Sequence, residues 1–393
     1  MELTKEQKQD LIQQAARKAW VDGGEWGLWG MATGTGKTRP AIQIVSELLA
    51  IQPDANIVLA VPTEKLRDNN WQDEFIKWDT IENYDKLVRT CYASITKLKD
   101  QVIDLLVLDE SHALTDLSVK VFTNNSVRRL LALSATPPDP KAEGADVGKV
   151  ALFKQFRIKT DFYYPLAQAR KDGLVADYEI WIVQTNLDNV KAYLPAGTKA
   201  KPFLQTEQQK YNYLTKMVQK FAIDKNYIMV KVKSLERMRL IANSMEKLAV
   251  CKLLLEKCKG NRILVFGGSI DQIEQMMPGK VYHSKSGKAG HAYLDAFMSE
   301  QVDEIGTVAA ANEGLNFPNL DIGLIAQISS DSRSLVQRIG RIIRRRPDEN
   351  HKSIIFIVVA KGTQDEKWLI AAIADMDHSI IRIIQAKDLE IPE

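Results

Sequence analysis

Residues 31–38 read Met-Ala-Thr-Gly-Thr-Gly-Lys-Thr, an octet with the residue types that grip a nucleoside polyphosphate. Gly34 and Gly36 let the backbone turn tightly and come close to an anion. The N–H groups of such a turn, that of Thr35 among them, point inward and cradle phosphate. A helix starting at Thr38 aims its positive end at the same anion. Lys37 brings a point charge to the β- and γ-oxygens, and the Thr38 hydroxyl is a ligand for Mg²⁺. The strict spacing wants glycine where this chain has Met31, with Gly30 one place early. A flexible glycine turn between strand and helix is the competing reading.

Two further clusters suit phosphate chemistry. Asp109-Glu110-Ser111-His112 follows an apolar run, so the carboxylates stand at a strand end. Ligands of parallel α/β sheets bind at that end. Asp109 there can hold Mg²⁺ through water, and Glu110 can orient and deprotonate an attacking water. A polar turn is the plain alternative. Ser134-Ala135-Thr136 closes the next apolar run. Far along the chain comes Gln337-Arg338-Ile339-Gly340-Arg341-Ile342-Ile343-Arg344. Arg338, Arg341 and Arg344 recur every three residues and share a helix face. Guanidinium groups there can stabilise charge growing on a γ-phosphate. A solvated basic face is the alternative.

These residues need elements to position them. The apolar runs 26–31, 57–61, 102–108 and 130–133 predict buried strands, with helices over 2–20, 41–49 and the stretch carrying Trp71, Phe75 and Trp78. Residues 137–146 predict a loop, and 150–176 a join between halves. In the second half, 178–183, 263–266, 307–310, 322–325 and 354–359 predict strands, and 234–258 one long helix. Segment 186–232 has helical pieces and no motif. Continuous apolar strands alternating with helices imply parallel sheets covered on both faces.

The 393 residues allow two or three domains. The net charge of +3 does not announce nucleic acid by itself, since a basic groove can sit on a nearly neutral protein. Cys91, Cys251 and Cys258 lack paired spacing, so buried thiols in a reducing cytoplasm are expected. No signal segment opens the chain, and no apolar run approaches a membrane span.

Taken in order, the motifs resemble those of superfamily 2 helicases, in the DEAH-like group with type III restriction motor subunits and small phage helicases. Ala-Thr-Gly-Thr-Gly-Lys-Thr at 32–38, Val-Pro-Thr-Glu-Lys-Leu at 61–66, the Asp-Glu-Ser-His and Ser-Ala-Thr clusters, Ile-Leu-Val-Phe-Gly-Gly-Ser at 263–269, Asn-Glu-Gly-Leu-Asn-Phe-Pro at 312–318 and the arginine run carry it. Residues 168–180 look like the segment joining two domains in that family. The resemblance implies an α/β chain of two tandem RecA-like domains, each a mainly parallel sheet flanked by helices. Their expected bounds are 1–155 and 177–393, with 156–176 connecting them and ATP between. It implies that Asp109 and Glu110 serve Mg²⁺ and water, with Gln337, Arg341 and Arg344 completing hydrolysis. His112, Ser134 and Thr136 would couple hydrolysis to strand movement, and Pro62, Thr63, Asn312 and Gly314 would lie along nucleic acid. Arg67, Lys65 and His283 are further groove candidates, with a plain surface role as the alternative. Asn316 stands where the family often has Asp. An upstream Gln often reads adenine there; Gln13 fits best by spacing, and Gln7 and Gln14 compete. DNA is the expected partner, RNA a lesser one, and a nucleotide-gated assembly subunit the alternative class. The cytoplasm, or a host's cytoplasm for a phage gene, is the expected location.

Overall fold

A computed structural model describes residues 3–138, 147–308, 317, 319–329, 332–343, 352–374 and 376–389. The chain divides into two compact units, with the break between Ala176 and Asp177. The first opens on helix α1 (Lys5–Asp22), whose start is fixed reciprocally: Thr4 accepts from the Gln7 N–H, and the Gln7 side chain accepts from the Thr4 N–H. Its inward face buries Gln13, Ala16 and Trp20, and the Trp20 indole donates to the Leu130 carbonyl at 2.8 Å.

Strands β1 (Trp26–Met31), β2 (Ile57–Val61), β3 (Val88–Cys91), β4 (Leu105–Leu108), β5 (Leu130–Ser134) and β6 (Thr160–Tyr164) form one sheet. Its order is β3-β2-β4-β5-β1-β6 and every pairing is parallel. β2, β4 and β5 are buried along their whole length, as strands covered on both faces must be. Because the strands are parallel, their C-terminal ends share one sheet edge. Helix α2 (Thr38–Ile51) leaves the loop after β1 and packs Ala41, Ile42, Val45 and Leu49 inward. Residues 156–176, expected to connect the domains, contain β6, an edge strand of this sheet.

The second unit has strands β7 (Asp177–Thr185), β8 (Leu194–Thr198), β9 (Lys201–Gln205), β10 (Ile263–Phe266), β11 (Val281–Tyr282), β12 (Glu304–Thr307), β13 (Ile322–Ile325), β14 (Lys352–Ala360) and β15 (Ile381–Gln385). Seven form a parallel sheet ordered β11-β12-β10-β13-β14-β7-β15. β8 and β9 make a separate antiparallel hairpin. Helices α3 (Glu207–Ile223), α4 (Tyr227–Ala242), α5 (Met245–Lys257), α6 (Ser332–Ile342) and α7 (Gln364–Ile373) complete the unit's longer helical elements used below. Trp181, Leu254, Val265, Ile273, Leu324 and Phe356 meet in its core.

Several expectations need correction. The long helix over 234–258 is two, α4 and α5. Asn243 and Ser244 break it, because their side chains donate to the Arg239 and Ile241 carbonyls and divert backbone acceptors. The run 102–108 is interrupted at Asp104, whose carboxylate accepts from the Asn56 N–H at 2.9 Å and Arg128 at 2.7 Å. Of the strand expected at 307–310, Thr307 is the last residue of β12, and 309–310 lie outside the described residues. Around Trp71 the chain makes a π-helical turn, Leu66–Trp71, before the short helix Gln72–Lys77. Within 186–232, the hairpin β8–β9 precedes the helices.

Gly27 of β1 faces Asp161 of β6 so closely that an added Cβ would stand 1.7 Å from a carboxylate oxygen. Burial pushes the Asp161 carboxyl up to about 6. The folded state therefore binds this proton more tightly than the unfolded chain, and stability falls as pH rises through about 6. Asp161→Asn should be more stable than the parent at pH 8 in urea titrations. That advantage should shrink on acidification towards pH ~4. A pH-independent gap would contradict the assignment.

Candidate nucleotide-binding site

The loop after β1 turns through two left-handed residues, Gly34 (φ 89°) and Gly36 (φ 78°). Thr35 is buried, and its hydroxyl donates to the Ala32 carbonyl at 2.7 Å. Two glutamines one turn apart on α1 hold the loop from behind. Gln9 Nε2 donates to the Thr35 carbonyl at 3.1 Å, and Gln13 Nε2 to the Gly36 carbonyl at 3.2 Å. A Cβ on Gly36 would stand 2.5 Å from Gln9 Nε2 and displace that amide, and the left-handed backbone there disfavours any side chain. Of the other candidates for adenine, Gln7 is used in the cap of α1 and Gln14 is exposed.

Lys37 precedes α2 and points to the neighbouring strand ends, with Nζ 3.4 Å from Glu110 Oε1. Glu110 itself is left-handed at φ 47°, a strained setting for a non-glycine residue and one that recurs at functional sites. Asp109 is buried. Its Oδ2 accepts from the Trp71 indole at 2.9 Å and its Oδ1 from the Glu110 N–H at 2.9 Å. The Tyr92 hydroxyl donates to the Asp109 carbonyl at 2.5 Å. Burial, then the Glu110 charge, push the Asp109 carboxyl up, and Lys37 opposes them. A divalent cation beside it would reverse that balance.

The same edge joins the residues expected to couple. His112 Nδ1 lies 3.4 Å from Glu110 Oε2 and 3.1 Å from the Ser134 hydroxyl. Ser134 Oγ also accepts from the Thr136 N–H at 3.1 Å, and Lys149 donates to the His112 carbonyl. A chain of polar contacts thus runs from Lys37 through Glu110 and His112 to Ser134 and Thr136. The Thr136 hydroxyl has no hydrogen-bond partner among the described residues.

The groove candidates fall differently. Pro62 and Thr63 are half-buried beyond β2, where Thr63 Oγ1 accepts from the Leu66 N–H at 3.4 Å. Arg67 is forked onto Asp68, with two contacts of 2.6 Å. His283 is buried, 3.0 Å from Glu274 and accepting from the Lys285 N–H. In the second unit Gln337 and Arg341 are half-buried on α6. Arg338 does not share their setting: it is buried, donates to the Gln327 carbonyl at 2.8 Å and stacks over Phe266. Arg344, Asn312, Gly314 and Asn316 lie outside the described residues.

Trp71, Tyr92 and Gln9 escape sequence reasoning as site residues. Trp71 reads as core, and it is core, at 2% exposure; its indole N–H is what reaches Asp109. A glutamine one turn before Gln13 is the one local signal for Gln9.

The fold and site define a class, and comparison with known proteins agrees. Residues 1–89 match the family described as "Type III restriction enzyme, res subunit", and residues 246–346 match "Helicase conserved C-terminal domain". Both matched segments are helicase or restriction-motor ones, so the chain is an ATP-hydrolysing enzyme, and its fold is that of tandem RecA-like domains. It is similar to the "DNA 3'-5' translocase XPB2" of Sulfurisphaera tokodaii, 24% identical over 380 residues, covering 90% of this chain and 82% of that protein. In fold it resembles the helicase domain of Hef from Pyrococcus furiosus (TM-score 0.52, 14% identity, 93% and 97% coverage). It also resembles the Type ISP restriction-modification enzyme LlaBIII bound to DNA (TM-score 0.61, 14% identity). There the match takes in 95% of this chain and 31% of LlaBIII, so the chain spans about a third of that enzyme.

Lys37→Ala should reduce ATP hydrolysis to background in a phosphate-release assay; parent-like turnover would remove the loop from the site. Glu110→Gln should bind ATP normally but turn over roughly 10²- to 10⁴-fold more slowly, the usual worth of a general base. Lost binding in that variant would make Glu110 a structural residue instead.

Proposed function

We propose that this chain is a DNA translocase or helicase driven by ATP hydrolysis. The observation that carries the reading is the polar chain from Lys37 through Glu110 and His112 to Ser134. It links the phosphate-binding loop to the ends of the neighbouring strands, so a change at the γ-phosphate is felt where strand ends meet loops. Thr38 and Asp109 offer the hard oxygen donors that suit Mg²⁺, which takes few protein ligands and completes its shell with phosphate and water. When bound, the metal neutralises charge on the β- and γ-oxygens. Lys37 would then hold those oxygens, and Glu110 would orient and deprotonate the water. Arg341 would supply positive charge as hydrolysis proceeds and Gln337 a neutral amide hydrogen bond, and Gln13, whose Nε2 is engaged by the Gly36 carbonyl, would offer its Oε1 to adenine.

Charge distribution supports a nucleic-acid partner. Residues 186–243 hold 11 Lys or Arg against 4 Asp or Glu, in a chain whose net charge is only +3, so the rest is net acidic. Phe203, Tyr213 and Tyr227 are exposed on the same segment. Basic side chains with exposed aromatics suit a backbone-tracking grip that is sequence-independent and salt-sensitive. The XPB2 relative is named as a DNA translocase, which favours DNA over RNA. Pro62, Thr63, Asn312 and Gly314 would line the track. Arg67 is already engaged by Asp68 and would have to exchange that partner.

The test is ATP turnover with single-stranded, duplex and forked DNA and with RNA. Stimulation by one or more DNA forms, falling steeply with salt, is expected. Stimulation by RNA alone would overturn the choice of DNA, and no stimulation by any of them would overturn the motor. Arg341→Ala should lower turnover on the order of 10³-fold. An unchanged rate would remove that guanidinium from the reaction.

A further inference from the structure

The second unit contains a closed polar ring that the reaction described so far does not use. Lys247 of α5 and Asp365 of α7 form an ion pair with both side chains at 0% exposure. Gln327, two residues past β13, completes the ring. Its Oε1 accepts from Lys247 Nζ at 2.9 Å, and its Nε2 donates to Asp365 Oδ1 at 2.7 Å. Nε2 also donates to the Ile328 carbonyl at 3.0 Å. Asp365 is fixed in turn, because its N–H donates to Thr363, whose hydroxyl donates to the Ala360 carbonyl at 2.7 Å.

Such a pair is expensive. Removing two charges from water is costly, and an apolar pair of similar size is often as stable or more so. Stability alone therefore does not account for the ring, and its outlet is informative. The backbone carbonyl of Gln327 accepts from Arg338 Nη1 at 2.8 Å. The Arg338 guanidinium lies over the Phe266 ring at 5.3 Å. Arg338 is thus a buried polar anchor of α6, beside the apolar anchors Leu335, Ile339 and Ile342, and Gln337 and Arg341 are carried on the same helix within one turn of it. A side chain locked by Lys247 and Asp365 fixes the residue whose carbonyl holds that anchor.

We propose that Lys247, Asp365 and Gln327 are positioning residues for ATP hydrolysis: they set the seat of α6 through Arg338, and so the placement of Arg341. This rests on the reading of Arg341 as a participant in hydrolysis. Orientation is worth much here, since an error near 1 Å in a reacting group costs on the order of 10²-fold in rate.

The experiment uses the full chain. Lys247→Met/Asp365→Leu together replace the pair by apolar groups of similar size, and Gln327→Leu keeps the ion pair but cuts its hold. Thermal melts check folding, a fluorescent ATP analogue reports affinity, and steady-state kinetics report kcat. Both variants should fold, melting lower than the parent because buried hydrogen-bond partners are lost, and bind nucleotide with parent affinity, while kcat falls between ~10- and ~100-fold. Adding Arg341→Ala to either should then cost less than it costs the parent, because the two changes act on one unit. Parent kcat in a folded Gln327→Leu chain, or a fully additive triple variant, would overturn the proposal. If the double variant does not fold, Gln327→Leu decides alone. If Arg341→Ala leaves the parent's rate unchanged, it is the reading of Arg341 that fails. Slow turnover by Gln327→Leu alongside that result would overturn the positioning route as well.

Discussion

A lysine ammonium and two carboxylates are held together at one edge of a parallel sheet, and the first unit is arranged around that grouping. Parallel strands make it possible, because β1, β4 and β5 present their C-terminal ends at a common edge. The loop after one strand brings Lys37, the end of another brings Asp109 and Glu110, and the end of a third brings Ser134. Asp109 bears the main electrostatic cost, buried beside a second carboxylate. Lys37 in front and the Trp71 indole behind offset part of it. An anion-binding loop beside a cation-seeking carboxylate pair is what a metal-bound polyphosphate requires. The strained backbone of Glu110 belongs to the same arrangement, since it turns that side chain towards Lys37.

How much of this could be read from the chain depends on the local physics of each element. The strands at residues 57–61 and 263–266 are legible to the residue, because continuous apolar runs rich in Ile, Val and Leu, buried on both faces, leave little choice. β12 is not, because it begins with Glu304, which is tied to Lys280, and includes Gly306. The hairpin β8–β9 carries Pro195, Gly197 and Pro202 and little buried surface, so no alternation marks it. The break between α4 and α5 turns on two small polar residues that a helical stripe tolerates on paper.

The site divides the same way. Contiguous motifs such as the glycine loop, Asp109-Glu110 and the arginine run can be found by spacing. Gln9, Trp71 and Tyr92 reach the site by tertiary folding, and their types carry no unique chemistry in sequence. The arginine run also shows a limit of periodicity. Arg338 and Arg341 share a stripe, yet one is a buried anchor and the other half-buried. The difference is made by the Gln327 carbonyl, eleven residues before Arg338, and by the Phe266 ring, which is distant in sequence from that helix.

The central claim is that the Lys37, Asp109 and Glu110 grouping receives the phosphates of ATP. The most direct measurement is a crystal structure of the full chain with Mg²⁺ and a slowly hydrolysed ATP analogue. The account predicts the phosphates on the backbone N–H groups of residues 34–38, Lys37 moved from Glu110 to the β- and γ-oxygens, and the metal by Thr38 and Asp109. A triphosphate bound elsewhere, or one bound there with the Lys37–Glu110 contact intact, would contradict it.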